Sequence, residues 1–157
     1  MAKEIERKFL VAGDGWRAGA SGLAYRQGYI PARGCTVRVR SAGDAGYITI
    51  KARDQGITRT EFEYRIPKAD ADEMIHRFCS GGTVEKLRYR VEYAGLVWEI
   101  DEFTGLNQGL IVAEVELERE DQAFEKPEWA GAEVTHDPRY LNSSLAATPY
   151  SRWKETA

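Results

Sequence analysis

Charged side chains recur at every second position near the start of the chain, in Glu4-Ile5-Glu6-Arg7-Lys8-Phe9-Leu10. Side chains of a β-strand alternate between its two faces, so the two acids and the lysine would share one face, opposite Ile5 and Phe9. Two carboxylates about 7 Å apart along a strand repel each other unless a cation lies between them. A divalent metal ion is one such cation. Solvent exposure is the alternative, and for a single strand it is the favoured one.

Later stretches repeat the alternation, and their charged faces are segregated by sign. Basic faces carry Arg38 and Arg40, and Lys86, Arg88 and Arg90; an acidic face carries Glu114, Glu116 and Glu118; Glu61 and Glu63 precede Arg65, Glu99 precedes Asp101, and Lys51 follows Tyr47 and Thr49. A solvated sheet surface tends to mix signs, because like charges on one face are destabilising. Basic rows can offset acidic rows only if all of them face a common space, and a closed barrel supplies such a space.

The alternation predicts eight strands, at 4–10, 25–30, 35–41, 47–51, 59–66, 84–93, 96–103 and 110–118. Short turns join most of them, including 43–46 and 54–56, and short connections favour antiparallel pairing. About eight antiparallel strands can close into a barrel that holds one small ligand. We therefore predict a β-dominated α+β fold: a closed eight-stranded antiparallel barrel, forming a tunnel, whose apolar faces point outward under a few peripheral helices.

Helices are predicted in the middle and near the end of the chain. The segment 69–79 has Asp70 as a candidate N-cap, Glu73 as its capping-box partner and an apolar stripe that includes Ile75 and Phe78. A short helical piece is expected within 121–132, and a last helix over 139–147 before Pro149.

Composition excludes several classes of function. The 157 residues fit one domain, 1–157, with 43% hydrophobic and 30% charged residues. The net charge of −3 argues against nucleic acid and anionic membrane surfaces as partners. No apolar run reaches the ~20 residues of a membrane span, and we expect no targeting segment and a cytoplasmic location.

Cysteine and histidine do not form a reactive or zinc-binding pattern. Cys35 and Cys79 lie far apart in the sequence and are expected to be reduced thiols, as in the cytosol. His76 and His136 make no cluster, which argues against a zinc site and against Ser/His or Cys/His nucleophiles.

An enclosed space with arginine rows and carboxylate rows has a natural ligand. The planar guanidinium suits bidentate contacts to phosphate. Carboxylates select Mg²⁺ or Mn²⁺ over softer ions, and Mg²⁺ is usually bound by one or two carboxylates together with substrate phosphates. The pattern predicts a polyanion that is bound together with a hard divalent metal.

The ordered set of charged pairs resembles the CYTH superfamily, the triphosphate tunnel metalloenzymes. The residues that carry the resemblance are Glu4-x-Glu6-x-Lys8, Arg38-x-Arg40, Lys51, Glu61-x-Glu63, Lys86-x-Arg88, Asp101 and Glu114-x-Glu116, with the Arg26-Gln27-Gly28-Tyr29 run and Arg139-Tyr140. The resemblance spans nearly the whole chain. A lone Glu-x-Glu-x-Lys is a weak signal, whereas the full order on separate strands is a strong one.

The resemblance implies roles for these residues. Lys8, Arg38, Arg40, Lys51, Lys86, Arg88 and Arg139 would bind phosphate oxygens, and Lys8, Lys86 and Arg38 would act in catalysis, with Lys8 contacting phosphate or positioning the attacking water. Glu4, Glu6, Glu114 and Glu116 would bind Mg²⁺ or Mn²⁺, with Glu61, Glu63 and Asp101 as further ligands or as their support.

The resemblance also implies a small-molecule triphosphate as substrate. The chain is most similar to small bacterial members that hydrolyse inorganic triphosphate, so we expect a metal-dependent tripolyphosphatase that gives pyrophosphate and phosphate. Thiamine or nucleoside triphosphatase, class IV-type adenylate cyclase and a non-catalytic polyphosphate-binding module stay open as alternatives. The sequence does not determine the oligomeric state and leaves a homodimer open.

Overall fold

The computed structural model describes residues 3–52 and 57–155, with the backbone alone for 154 and 155. The predicted turn at 54–56 lies outside the described residues. The strands are β1 (Lys3–Val11), β2 (Leu23–Ile30), β3 (Cys35–Ala42), β4 (Ala45–Ala52), β5 (Thr58–Ile66), β6 (Thr83–Tyr93), β7 (Leu96–Phe103), β8 (Ile111–Glu116) and β9 (Ala130–Glu133). The α-helices are α1 (Lys68–Phe78) and α2 (Asn142–Ala147), and 3-10 helices lie at Gly105–Asn107, Pro138–Tyr140 and Tyr150–Glu155.

Eight of these strands close into an antiparallel barrel, which confirms the predicted fold. The strand order is β5-β4-β3-β2-β6-β7-β8-β1, and β1 closes the circle by pairing with β5. The closing contact is short, because it pairs Lys3 with Thr60 and Ile5 with Thr58, whereas residues 6–10 of β1 pair with β8. The ninth strand, β9, adds to the edge of β1 beyond the barrel, where Phe9 lies opposite Glu133.

The outer surface of the barrel is apolar and is covered in two places. Phe9, Trp98 and Val115 project outward and are buried under Trp16 and the segment that includes Phe124. On the opposite side, α1 packs its Ile75 against Val39 of β3.

Close approach of α1 to the barrel requires a glycine on β2. A Cβ atom added at Gly28 would lie 2.6 Å from Cβ of Cys79, which is closer than real Cβ contacts. The absence of a side chain at this position lets the end of the helix rest directly on the sheet.

One end of the barrel interior is filled with apolar side chains. Val84, Phe103 and Val112 point inward from three strands and pack against Tyr140 and Leu145 from the C-terminal region. The C-terminal region therefore forms the floor of the barrel. The charged side chains of the strands line the rest of the interior.

The helix predictions were partly wrong in detail. Helix α1 is displaced by one residue at each end from the prediction, but its N-cap is Pro67 and no side chain caps it, so Asp70 does not have the predicted role. The predicted helix 139–147 is two pieces, a 3-10 turn and α2. No helix forms at 121–132 in the structure: residues 122–127 have no regular secondary structure, residues 128 and 129 form a turn and β9 follows, while Phe124 and Trp129 pack on Trp98. None of the described helices combines the length and apolar character needed to cross a lipid bilayer.

Candidate active site in the barrel interior

The charged rows face inward onto a single large cavity. Its volume is about 1300 Å³, and it opens to solvent. Eleven of the predicted site residues line it: Glu4, Glu6, Lys8, Arg38, Arg40, Lys51, Glu61, Glu63, Arg88, Glu114 and Glu116. The inward direction of these rows follows from the outward packing of the apolar residues between them.

Strand order divides the cavity into a basic wall and an acidic wall. The contiguous strands β4, β3, β2 and β6 carry Lys51, the Arg38–Arg40 pair and the Lys86–Arg88 pair. The remaining strands β7, β8, β1 and β5 are also contiguous, since β1 pairs with β5, and they carry most of the carboxylates. The basic wall and the acidic wall meet where β4 pairs with β5 and where β6 pairs with β7.

Opposite charges lie across from each other where the two walls meet. Lys51 lies opposite Glu61 in the β4–β5 ladder, and its Nζ is 3.0 Å from a carboxylate oxygen of Glu4 and 3.5 Å from one of Glu61. On the other side, Arg88 lies opposite Asp101. These cross-strand pairs offset part of the cost of burying charge.

Asp101 binds two cations and is only 1% exposed. Its Oδ1 accepts from Nε of Arg88 at 2.7 Å, and its Oδ2 accepts from Nζ of Lys86 at 2.7 Å and from Nη2 of Arg88 at 2.9 Å. Both oxygens are thus occupied by protein cations. This geometry favours a role for Asp101 in holding the two cations rather than in binding a metal.

Lys86 lies behind the cavity surface, with a fully buried side chain. Besides Asp101, its Nζ donates to the side-chain oxygen of Asn142 in α2 at 3.0 Å. Burial lowers the pKa of Lys86 to about 7. The charge of Asp101 opposes this decrease, and the charges of Arg88 and Arg40 add to it. The side chain of Lys86 therefore does not line the cavity, and it can act on a bound ligand only through neighbouring residues.

Carboxylates crowd the acidic wall. Burial, together with the charges of Glu114 and Glu4, raises the pKa of Glu6 well above its ordinary value. Burial and the neighbouring Glu4 raise the pKa of Glu61 to about 7. Although burial opposes it, the cations Lys8 and Arg88 hold the pKa of Glu114 well below its usual range. These acids cannot all be ionised together unless further positive charge enters the cavity.

The acidic wall fits a hard divalent cation that keeps several ligand positions for substrate. Oε2 of Glu61 is buried and accepts no hydrogen bond from the described residues. In the described ranges, no three His, Cys, Asp or Glu side chains are placed so that together they could hold a metal ion. An incomplete set of carboxylates is what Mg²⁺ uses, since it is usually bound by one or two carboxylates with waters and substrate phosphates.

The basic wall carries more positive charge than its acidic contacts neutralise. Arg38 donates to Thr49 at 3.2 Å and lies 3.5 Å from Glu63, while its Nε is buried without a hydrogen-bond partner in the described part of the chain. Burial, with repulsion from Arg38 and Arg88, lowers the pKa of Arg40 to about 10. Crowded cations of this kind bind a polyanion favourably, because each anionic oxygen removes repulsion as well as adding attraction.

Lys8 lies on β1 in the acidic wall, next to the floor. Its Nζ donates to the backbone carbonyl of Tyr140 at 3.0 Å and lies 3.8 Å from a carboxylate oxygen of Glu114. An ammonium group has three donors, and only the contact with Tyr140 is short enough to be a hydrogen bond, so two donors remain for Glu114 and for a ligand in the cavity.

The aromatic ring of Tyr25 separates three cations and was not predicted as a site residue. The ring centroid is 4.9 Å from Cζ of Arg40, 5.0 Å from Cζ of Arg88 and 6.0 Å from Nζ of Lys86. Gln27, fully buried, accepts from Nε of Arg40 at 2.9 Å. These contacts orient the guanidinium groups without neutralising them.

Sequence reasoning missed Tyr25, Gln27 and Asn142 for different reasons. Tyr25 and Gln27 flank Arg26 and share one face of β2, so period-two alternation could have identified them. They were overlooked because their side chains are uncharged. Asn142 depends on α2 reaching Lys86, which no local pattern encodes. Arg59 also lines the cavity and shares its strand face with Glu61, so alternation could have found it.

Arg139, unlike the predicted site residues that line the cavity, has its side chain on the outer surface. It is 62% exposed and donates to Asp137 at 2.7 Å. It is absent from the cavity lining in the described structure. The structure does not bring it together with the other predicted residues.

In this antiparallel barrel, a basic wall lies across the interior from an acidic wall. Such a barrel defines a class of protein suited to a small polyanion and its metal counter-ion. The chain belongs to the CYTH family, because the CYTH domain model matches residues 2–150.

Two relatives and one solved structure are similar over almost their whole lengths. A protein from Acetivibrio thermocellus named inorganic triphosphatase is 50% identical over 156 residues, covering 99% of this chain and 100% of the relative. Another inorganic triphosphatase, from Nitrosomonas europaea, is 40% identical over 150 residues, covering 91% of this chain and 96% of the relative. The crystal structure of the inorganic triphosphatase NE1496 matches with a TM-score of 0.67 at 35% identity, covering 94% of this chain and 97% of that one.

Replacement of Asp101 tests whether it holds the basic wall together. Asp101→Ala would leave Lys86 and Arg88 as buried cations without their shared anion, so we expect the free energy of unfolding to fall by about 3–5 kcal/mol. Chemical denaturation measures this change. Asp72→Ala removes a half-exposed carboxylate that is paired with Lys68 on α1, and is expected to cost less than about 1 kcal/mol. Equal effects of the two substitutions would show that the buried cluster does not stabilise the barrel.

Proposed function

We propose that this chain is a divalent-metal-dependent triphosphatase that hydrolyses inorganic triphosphate to pyrophosphate and phosphate. The observation that carries this proposal is the enclosed cavity in which a basic wall faces a wall of crowded carboxylates. Two relatives named inorganic triphosphatase, similar over almost the whole chain, support it.

The basic wall binds the phosphate oxygens. Arg38, Arg40, Lys51 and Arg88 reach the cavity surface and supply donors along its length. Lys86 strengthens the local positive potential from behind, where Asp101 and Asn142 hold it. Phosphoryl transfer depends mostly on positioning and charge neutralisation, and these side chains provide both.

The acidic wall holds the metal. Glu4, Glu6, Glu114 and Glu116 are the proposed ligands, and Glu61 and Glu63 support them through Lys51, Thr49 and Arg38. Mg²⁺ or Mn²⁺, when bound, would neutralise charge on the phosphate oxygens. Carboxylates that share this space then give up their excess protons to the solvent.

Hydrolysis requires a water in line with a terminal phosphoryl group. The water oxygen forms a bond to that phosphorus, the bridging P–O bond breaks with its electron pair, and pyrophosphate leaves. Lys8 has donors beside Glu114 that make no hydrogen bond within the described residues, which places it to contact the phosphoryl group or orient the water. The proton of the water passes to solvent or to a carboxylate of the acidic wall.

Organic triphosphates are the second candidate substrates. Besides the charged rows, the cavity is lined on one side by Tyr29, Ile30, Pro31, Val37 and Leu141. This apolar side leaves room for a thiamine or nucleoside group next to the phosphates, so hydrolysis of such esters is the nearest alternative.

The compartment and the domain organisation belong to the same proposal. Both cysteines are free thiols, which suits the reducing cytoplasm. A single domain over 1–157 is supported by the family match to 2–150 and by the single strand order that joins all nine described strands.

A substrate panel tests the activity. We expect phosphate release from tripolyphosphate with Mg²⁺ or Mn²⁺, with pyrophosphate as the second product, and none in EDTA, because the carboxylates repel the substrate without a metal. ATP and thiamine triphosphate should react more slowly. Cyclic AMP formed from ATP would overturn the choice of reaction, and tight metal-independent binding without turnover would identify a binding module.

Removing charge from the acidic wall tests the metal site. The double variant Glu114→Gln/Glu116→Gln keeps the side-chain volume but removes two anions, so we expect turnover to fall at least ~100-fold, since loss of a residue that only orients a metal ligand already costs about 10–100-fold. Phosphate release measures turnover, and circular dichroism checks the fold. The exposed Glu118→Gln is the matched control. Near-full activity of the double variant would remove both residues from the site.

Substitutions of Tyr25 test whether its ring positions the phosphate-binding cations. Tyr25→Leu removes the ring face, and loss of cation–π contacts of ~1–2 kcal/mol predicts a KM for tripolyphosphate about 10-fold higher with kcat changed much less. Tyr25→Phe keeps the ring, so its KM should equal that of the wild type. If both variants behave alike, or if kcat falls in place of a KM increase, the ring does not have this role.

A further inference from the structure

Thr49 is a neutral, fully buried residue in the charged part of the barrel, and it is neither a proposed phosphate-binding residue nor a proposed metal ligand. It lies on β4 directly opposite Arg38 of β3 on one side and Glu63 of β5 on the other. Side chains directly opposite each other on one face of a sheet have Cβ atoms about 5 Å apart. The three side chains therefore form one row across three strands, with the short threonine between two long ionic neighbours.

Hydrogen bonds join this row in one direction. Nη2 of Arg38 donates to Oγ1 of Thr49 at 3.2 Å, and Oγ1 donates to a carboxylate oxygen of Glu63 at 3.0 Å. A guanidinium group has no acceptor and a carboxylate has no donor, so the single hydroxyl hydrogen points to Glu63 and the hydroxyl oxygen accepts from Arg38. Both neighbours are thus bound by one neutral group.

The hydroxyl of Thr49 fixes the guanidinium of Arg38. Within the described residues Arg38 makes no other side-chain hydrogen bond, since its Nε is buried without a partner and its contact with Glu63, at 3.5 Å, is too long to be one. Loss of the hydroxyl would leave the guanidinium free to turn towards the carboxylate of Glu63.

The arginines of the basic wall are held in two different ways. Arg88 is held by an anion, because Oδ1 and Oδ2 of Asp101 accept from its Nε and Nη2 at 2.7 and 2.9 Å. Arg38 is held by a hydroxyl group, and Arg40 by the amide oxygen of Gln27 at 2.9 Å. A neutral acceptor orients a guanidinium without cancelling its charge, whereas a carboxylate in direct contact offsets that charge.

We infer that Thr49 is a positioning residue, which orients Arg38 for a phosphate group of the ligand and keeps its charge from being taken up by Glu63. The inference rests on the proposed function, in which Arg38 binds phosphate. Thr49 is not among the described residues that line the cavity, so it acts through Arg38 and does not touch the ligand. An oriented cation binds an anion more tightly than a mobile one, because the entropy cost of ordering its side chain has already been met.

Removal of the hydroxyl tests the positioning role. Thr49→Val keeps the branched shape of the side chain, and we expect its KM for tripolyphosphate to rise about 10-fold with kcat changed much less, because a hydrogen bond to a charged group contributes about this factor. Thr49→Ser keeps the hydroxyl and should have the wild-type KM. Thr83→Val makes the same chemical change at an exposed position of β6 and serves as the control. A Thr49→Val variant with the wild-type KM, or a Thr49→Ser variant that behaves like it, would overturn the inference.

Pyrophosphate binding separates this test from that of the activity. Calorimetric titration of pyrophosphate in the presence of Mg²⁺ measures anion binding without turnover, and Thr49→Val should weaken it by a similar factor. If the wild type binds pyrophosphate in this way but does not hydrolyse tripolyphosphate, the proposed activity fails and the positioning role stands. A wild type that neither binds pyrophosphate nor turns over tripolyphosphate would overturn both.

A double-mutant cycle tests whether Thr49 acts through Arg38. Arg38→Ala should weaken pyrophosphate binding by itself, and Thr49→Val should then cause no further loss, because the side chain that Thr49 holds is already absent. Circular dichroism checks that each variant folds, and the comparison of Thr49→Val with Thr49→Ser decides the question if Arg38→Ala does not fold. A further loss of about 10-fold in the double variant would show that the two effects are independent, which contradicts the inference.

Discussion

The barrel depends on the requirement that buried charge must meet opposite charge. Its apolar side chains point outward under α1 and the segment around Phe124, so the alternate side chains are forced inward, and most of these are ionic. Such an interior is costly unless cations and anions are brought together. The cross-strand neighbours Arg88 and Asp101, and Lys51 and Glu61, meet this requirement where the basic and acidic walls join.

The same pairing leaves charge unsatisfied in the middle of each wall. Burial, with the charges of Glu114 and Glu4, raises the pKa of Glu6, while burial and repulsion from Arg38 and Arg88 lower the pKa of Arg40. The structure thus separates two tasks: pairs at the seams stabilise the barrel, and unpaired groups between the seams retain affinity for ligands. A polyanion and a divalent cation together complete both walls, which is the physical basis of the proposed triphosphatase activity.

Period-two alternation predicted the eight barrel strands and the inward direction of their charged faces, because register is strongly specified when one face is buried. It could not predict contacts made by the chain after β8. Lys8 and Lys86 bind Tyr140 and Asn142, which approach only because Leu145 fills the barrel floor. β9 was missed for a related reason: the segment before it packs Phe124 and Trp129 on Trp98, a tertiary contact that no local pattern encodes. The surface position of Arg139 likewise depends on its local partner Asp137, which a motif does not reveal.

Strand order also explains why a metal and a polyanion should bind together rather than separately. A polyanion alone would satisfy Arg38 and Arg40 but would face the carboxylates of β1 and β8 across the cavity. A divalent cation alone would satisfy those carboxylates but would add to the positive potential of the basic wall. Each ligand removes the repulsion that opposes the other, so their binding is thermodynamically coupled, and the coupling is reciprocal. Because basic strands are contiguous and acidic strands are contiguous, this coupling is a property of the barrel's topology as much as of any single residue.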